Sequence, residues 1–276
     1  MKMLINFLCR FIPNKGLRKK IKRKFVGTPS RRKRLLNYGC TIENEIVTLP
    51  GGVKIDISTI PHEAMGITKE VFIQKCYDLE FNFDAVLIDI GFNRGIASLF
   101  FATYPNIKKI YSFEPFKPTY ELAEKNMKLN PQLSQKINSY NYGLGREEAN
   151  LELPYMNTVT GGMSTTNDVV KGKKNITKET VIIKDAAKEI GFVIANHKNK
   201  NIIIKCDCEG AEFEIFEKLN EEGLVGSIDV VMMEYHFEKP NRLVEILTEN
   251  GFVAQTKILS TKSRRGYIFS VRMSPK

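Results

Sequence analysis

The stretch Val86-Leu-Ile-Asp-Ile-Gly-Phe-Asn-Arg-Gly95 decides the fold. An apolar run ends in Asp89, and two glycines, Gly91 and Gly95, follow at a spacing of four. A second strand-like run, Ile110-Tyr-Ser-Phe113, ends in Glu114-Pro115, so a second carboxylate stands 25 residues after the first. In a doubly wound sheet the turn after the first strand lets backbone approach a ligand. The acid after the second strand takes the ribose hydroxyls. The pattern therefore predicts a pocket for an adenosine-bearing cofactor at the strand ends.

Outward from this stretch, strand and helix patterns alternate. Strands are expected over 86–90, 109–113, 137–142, 202–206 and 228–235, and helices near 95–103, 118–129, 184–190, 211–219 and 241–250. Residues 252–259 and 266–273 read as a closing strand pair. This order predicts an α/β fold: a Rossmann-like, doubly wound, mostly parallel seven-stranded sheet with a closing antiparallel strand. Residues 146–200 interrupt the alternation with a strand-like Leu151-Glu-Leu-Pro154 and a polar loop over 157–167. Upstream, short strands are expected at 41–42, 46–49 and 53–57 around the turn Pro50-Gly-Gly52, followed by a helix over 68–79. The expected division is a basic amphipathic N-terminal extension (1–37), short strands and a helix before the core (38–80), and the main domain (81–276).

The net charge of +11 belongs to one end of the chain. Residues 1–34 carry 13 Lys or Arg and no acid, leaving 29 bases and 31 acids in the other 242 residues. Met3, Leu4, Phe7, Leu8 and Phe11 recur at helical spacing ahead of the basic stretch to Lys24. A basic amphipathic helix suits an anionic membrane surface. The other reading is a solvated extension whose apolar face packs on the body. Arg10 interrupts the apolar stretch and no small-residue cleavage site follows, which argues against a signal peptide. No apolar run approaches the roughly 18 residues of a membrane span. The five cysteines show no framework spacing, and Cys206 and Cys208 read as packing thiols on one strand face. A cytoplasmic protein is expected, with peripheral contact at the inner membrane face through residues 1–34.

The glycine spacing does not match the G-x-G-x-x-G of dinucleotide binders, which argues against a nicotinamide dehydrogenase. An Asp at a strand end suits a cation better than a phosphate, and S-adenosylmethionine carries a sulfonium and an amino group. Asp89 is expected to hold its amino-acid end, directly or through water, and Glu114 to accept both ribose hydroxyls. A second cluster, Lys205-Cys-Asp207-Cys-Glu209-Gly-Ala-Glu212, closes one strand and opens a helix. Methyl transfer is an in-line displacement that depends on alignment. A hydroxyl acceptor must also lose a proton to a base within reach. Asp207 and Glu209 are candidates for that base, and His236, at the end of Val230-Val-Met-Met-Glu-Tyr-His236, is a third. Glu212 reads as favourable charge at a helix N-terminus. No spacing marks a structural metal site and no metal is expected, although Asp207, Glu209 and His236 form a set that a divalent ion accepts.

These segments resemble the FkbM-type branch of class I S-adenosylmethionine-dependent methyltransferases. The resemblance covers about residues 80–255 through Asp89-Ile-Gly-Phe-Asn-Arg-Gly95, Phe113-Glu-Pro115, Asn141-Tyr-Gly-Leu-Gly145, Gly161-Gly-Met-Ser164, Ile204-Lys-Cys-Asp-Cys-Glu-Gly-Ala-Glu212 and Glu234-Tyr-His236. The Lys-x-Asp-x-Glu-Gly-Ala-Glu block is the specific part. The chain departs from the family pattern at Phe92-Asn-Arg94 and at the cysteines flanking Asp207. The resemblance implies S-adenosylmethionine as cofactor, with S-adenosylhomocysteine as product. It adds Gly91, Asn93, Gly95, Pro115, Asn141, Gly143 and Asp207 to the cofactor-binding residues. It also implies acceptors such as sugars, glycan precursors or polyketide-type products.

The expected activity is O-methylation of a hydroxyl on a sugar or glycan precursor, either a surface polysaccharide or a nucleotide-linked sugar. The competing reading is a nucleic-acid methyltransferase or binding protein, with phosphate contacts from the basic tail. The near-neutral body opposes it, as does the lack of an aromatic beside Asp207-Cys-Glu-Gly210. A membrane-tethered scaffold is a further alternative, opposed by Asp89, Glu114 and Asp207 all standing at strand ends. The loop Thr158-Val-Thr-Gly-Gly-Met-Ser-Thr-Thr166 suits a cover over a polyol acceptor, or a plain surface loop.

Overall fold

In the computed structural model, residues 30–156, 158, 160–166 and 176–273 are described. The expected amphipathic helix near residues 1–12 and the basic stretch to Lys24 lie outside them. Three short strands come first, β1 (Thr41–Glu43), β2 (Ile46–Thr48) and β3 (Lys54–Asp56), forming an antiparallel sheet. The main strands follow: β4 (Ala85–Ile90), β5 (Ile107–Phe113) and β6 (Ile137–Tyr140). Then come β7 (Gly143–Gly145), β8 (Ala149–Met156), β9 (Ile176–Asp185), β10 (Asn201–Cys206), β11 (Val230–Tyr235), β12 (Phe252–Ser260) and β13 (Arg265–Arg272). The seven-stranded sheet has the order β12-β13-β11-β10-β4-β5-β6. Its five strands from β11 to β6 run parallel, while β13 is antiparallel to β11 and β12 to β13. This is the expected doubly wound sheet with an antiparallel closing pair.

Helices cover both faces, so the central strands bury both of theirs and read as continuous apolar runs. All six residues of β4 are buried. Val86, Ile88 and Ile204 meet Ile190, Phe216 and Leu243 from the helices Ala186–Asn196, Glu212–Glu221 and Asn241–Glu249. On the other face, Leu87 and Ile203 meet Leu99, Phe101 and Ala123 from the helices Ile96–Ala102 and Lys117–Leu129. Val47 and Ile55 of the small sheet extend this second layer. Among the described residues no helix is long and apolar enough to cross a membrane.

Three local expectations are corrected. The helix read over 68–79 is instead Pro61–Thr68, continued by a wider turn over Lys69–Ile73. Pro61, whose fixed φ suits a first helical turn, starts it. The strand read over 137–142 ends at Tyr140, and Gly143–Gly145 leaves to pair with β9 in a third sheet. The helix read near 184–190 is preceded by the ten-residue strand β9, which pairs with β8. That helix begins only at Ala186, where the Asp185 carboxylate accepts from Ala187 N and Lys188 N.

The strand ends meet at Gly91, whose φ is +83°. A Cβ there would lie 1.9 Å from the backbone oxygen of Asp207. Asp207 N donates to Ile90 O at 2.9 Å, which holds the ends of β4 and β10 in this contact. Gly91→Ala combines left-handed strain with a backbone clash. It is expected to cost about 2–4 kcal/mol in urea unfolding. An unchanged midpoint would show that the two strand ends have room to part.

Candidate active site

A cavity of about 870 Å³ opens at the carboxyl ends of the parallel strands. Its floor includes Gly91, Glu114, Pro115, Gly143, Asp207 and Glu209, and its walls include Glu63, Tyr77, Thr160, Glu234 and Tyr267. The turn after β4 binds the strand end after β5. Asn93 N donates to Glu114 Oε2 at 2.8 Å, and Phe116 N donates to Oε1 at 3.1 Å. These donors fix the carboxylate and leave further lone pairs for a ligand. Burial pushes the Glu114 carboxyl up to about 7, against the two backbone donors.

Asp89 does not reach the cavity wall, so of the two expected modes, direct or through water, its position leaves the indirect one. It is fully buried: Oδ2 accepts from Ser98 Oγ at 2.6 Å, and Oδ1 lies 2.9 Å from Lys205 Nζ. The Lys205 contact is one of charge, because Oδ1 lacks an aligned hydrogen bond. Lys205 does line the cavity and donates to Gly91 O at 2.7 Å. Burial opposes its charge, but Asp89 and Asp207 outweigh burial and raise its pKa. Gly95 and Asn141 also lie off the wall. Gly95, at φ +71°, begins the helix Ile96–Ala102, and a Cβ there would meet the Phe92 ring at 2.9 Å. Asn141 Nδ2 donates to Glu114 O at 2.9 Å and Pro115 O at 3.3 Å, holding the acid's backbone in place.

The second cluster forms where β10 and β11 end side by side, with Cys206 paired to Met233. His236 Nε2 lies 3.5 Å from Glu209 Oε2, 3.7 Å from Glu234 Oε1 and 3.9 Å from Asp207 Oδ1. Asp207 Oδ2 accepts from Tyr77 Oη at 3.1 Å. Burial, with Asp207 and Glu212 adding to it, pushes Glu209 up to about 7 against the pull of His236. Burial and Asp207 push Glu234 up to about 7, against His236 and Arg265. Burial disfavours the imidazolium, but Glu212, Glu209 and Asp207 prevail and bring His236 up to about 9. The surrounding carboxylates thus favour positive charge at His236. Cys206 and Cys208 share a face as expected, their Sγ atoms 3.5 Å apart.

Several wall residues escaped sequence reasoning as site residues, among them Tyr77, Tyr267 and four charged ones. Lys205 and Glu234 stood inside quoted motifs, but a lysine within a strand reads as packing until its Asp partner is located. Glu63 and Arg94 come together only in the fold. The Glu63 carboxylate accepts from Thr160 N at 2.8 Å and Gly161 N at 2.8 Å, pinning the polar loop to the helix Pro61–Thr68. Arg94, 1% exposed, donates from Nε to Thr160 Oγ1 at 3.3 Å, with Nη2 3.7 Å from Glu63. The Phe92-Asn-Arg94 departure from the family pattern was its one signal.

Parallel strands with crossover helices, a glycine turn and acids at successive strand ends define an α/β transferase of the Rossmann-like methyltransferase type. The "Methyltransferase FkbM domain" matches residues 89–254, well over half of the chain. The chain belongs to the FkbM methyltransferase family and is a methyltransferase. "Methyltransferase 1" of Beauveria bassiana (strain ARSEF 2860) is 30% identical over 171 residues, spanning 56% of this chain and 67% of that protein. "Methyltransferase sdnD" of Sordaria araneosa is 26% identical over 218 residues, spanning 69% and 82%. Among solved structures, methyltransferase FkbM from Methylobacillus flagellatus KT aligns at TM-score 0.44 and 11% identity, over 77% of this chain and 52% of that one. Streptococcus pneumoniae Sp1610, a putative tRNA (m1A22) methyltransferase in complex with S-adenosylmethionine, aligns at TM-score 0.41 and 14% identity, over 71% and 70%.

Removing one partner of a buried ion pair strands the other charge. Lys205→Met is therefore expected to lower stability by roughly 3–5 kcal/mol in chemical denaturation. The double variant Asp89→Asn/Lys205→Met is expected to recover part of that loss. Equal stability of Lys205→Met and wild type would show that the pair carries no structural charge.

Proposed function

We propose that this chain is an S-adenosylmethionine-dependent O-methyltransferase. Its proposed acceptor is a hydroxyl of a sugar or glycan precursor, nucleotide-linked or within a surface polysaccharide. The carrying observation is that one cavity is lined both by Glu114 and by the carboxylates Asp207, Glu209 and Glu234. The cofactor-side residues fit the group. Glu114 offers a buried carboxylate with free lone pairs, and Gly91 and Gly143 line the same wall without side chains. When bound, this cofactor supplies a methyl group activated by a sulfonium.

The chain's own residues orient and deprotonate the acceptor. Glu209 and Glu234, both brought near neutrality, are the carboxylates suited to take a hydroxyl proton. Arg31, Lys75, Lys257 and Arg265 line the same cavity. Lys257 has no ion-pair partner among the described residues. Lys75 and Arg265 pair with Asp78 and Glu234, whereas Arg31 and Lys257 complement a phosphorylated acceptor, which supports the nucleotide-linked form. The competing nucleic-acid reading relies on the basic residues of the tail, most of which lie before the described region.

Transfer of labelled methyl from S-adenosylmethionine into separated nucleotide sugars, lipid-linked glycans, polysaccharide and RNA tests the reading. Label in a sugar fraction is expected, and label confined to RNA would overturn the acceptor assignment. Glu114→Gln is expected to weaken cofactor binding on the order of tenfold, the value of a charged hydrogen bond. Ribose hydroxyls donate best to the ionised acid, so wild-type cofactor affinity should rise as pH climbs through about 7. Calorimetry between pH 6 and pH 8 reads this slope, and the Gln variant should lack it.

A further inference from the structure

The ends of β10 and β11 bring three ligating side chains from two strands to one point. Asp207, Glu209 and His236 each place one ligand atom within 4.8 Å of the others. The imidazole is 4% exposed, and its two nitrogens face different surroundings. Nδ1 lies 3.3 Å from Oε1 of Glu212, which is itself fully buried. Glu212 also accepts the backbone N–H groups of His236 and Gly210, so it is fixed before it orients the ring. A buried carboxylate on one imidazole nitrogen is the usual device that aims the other at a metal.

Nε2 makes no hydrogen bond among the described residues, yet oxygens of Glu209, Glu234 and Asp207 surround it at 3.5–3.9 Å. Carboxylates converging on one buried imidazole favour positive charge at that point: either the imidazole's own proton or, once that proton is displaced, a divalent cation held by the freed nitrogen and the carboxylate oxygens. The nearby cationic side chains are already engaged. Lys205 pairs with Asp89, and Arg265 pairs with Glu234 at 3.1 Å. Among the described residues neither Asp207 nor Glu209 has a Lys or Arg nitrogen within 4.0 Å. Ligands about 2.1–2.4 Å from a divalent ion stand roughly 3–3.4 Å apart when adjacent. The His236–Glu209 and His236–Asp207 spacings of 3.5 and 3.9 Å lie within about half an ångström of that.

We propose that Asp207, Glu209 and His236 hold a divalent cation of the magnesium or manganese class, with its open coordination positions facing the cavity. Two carboxylate oxygens and one imidazole nitrogen suit such an ion. The proposal rests on the O-methyltransferase reading for its role: the acceptor hydroxyl oxygen binds the ion, which acidifies it. Glu234 is left outside the ligand set as proton acceptor. The acceptor O–H bond breaks and its proton goes to Glu234. The oxygen forms its bond to the transferred methyl carbon as the carbon–sulfur bond breaks, and that electron pair stays on sulfur. Glu209 thereby becomes a ligand and Glu234 the base, dividing two carboxylates that are otherwise equivalent candidates.

The test is titration of the full chain with manganese alone, followed by the loss of the free-ion electron paramagnetic resonance signal. One bound ion per chain is expected. Asp207→Asn and Glu209→Gln should each weaken binding at least about tenfold, and Glu234→Gln should leave it within about threefold. Circular dichroism establishes that each variant is folded, and a manganese-dependent rise in wild-type melting temperature gives a measurement needing no variant. No binding at millimolar ion, or binding that ignores both ligand substitutions, overturns the metal site. The titration contains neither cofactor nor acceptor, so its failure is separate from that of the methyltransferase chemistry. Cofactor binding and labelled methyl transfer that survive metal removal would sink this inference and leave the proposed function standing.

Discussion

The buried charge pair between β4 and β10 is the constraint on which the site depends. Asp89 and Lys205 face each other in register across the two central strands, with their side chains 0% and 4% exposed. Such a pair is expensive to bury and becomes tolerable only when its remaining donors find partners. Lys205 spends one on the oxygen of Gly91 and Asp89 takes one from Ser98. The lysine therefore anchors the first residue of the turn. Two residues further on, Asn93 N fixes Glu114. A charge pair in the core is thus linked through a few atoms to the carboxylate that lines the cavity.

The same strand ends separate two electrostatic environments. Around Glu114, backbone amides do the stabilising, so the carboxylate is held without a countercharge in contact. Around His236, carboxylates outnumber the cations that reach them. The first environment favours neutral donors such as hydroxyls, and the second draws in positive charge. One cavity can therefore hold a polar ligand and a reacting centre without either set of charges cancelling the other.

The central fold was legible because β4, β5, β10 and β11 are short apolar runs, each ending in a polar residue, and burial on both faces leaves few other readings. The β8–β9 hairpin was not, because Ile176-Thr-Lys-Glu-Thr-Val-Ile-Ile-Lys-Asp185 is half exposed and mixes charges with branched residues. Glu114, Asp207 and Glu209 were legible as strand-end acids. Asp89 looked alike in sequence and differs only because its neighbour strand supplies Lys205. His236 was correctly placed beside Asp207, but its proton affinity depends on Glu212, a residue that spacing alone assigned to a helix terminus.

The pinning of Thr160 and Gly161 by Glu63 bears on how far likeness between relatives extends. The family match spans residues 89–254, whereas Glu63, Tyr77, Lys257, Arg265 and Tyr267 fall outside it. The cavity is thus lined jointly by flanking segments and by the shared core. Two proteins can agree closely in the shared part and still present different thresholds to incoming molecules. In this architecture the shared core and its flanks can vary separately, joined where Tyr77 of the flank donates to Asp207 of the core.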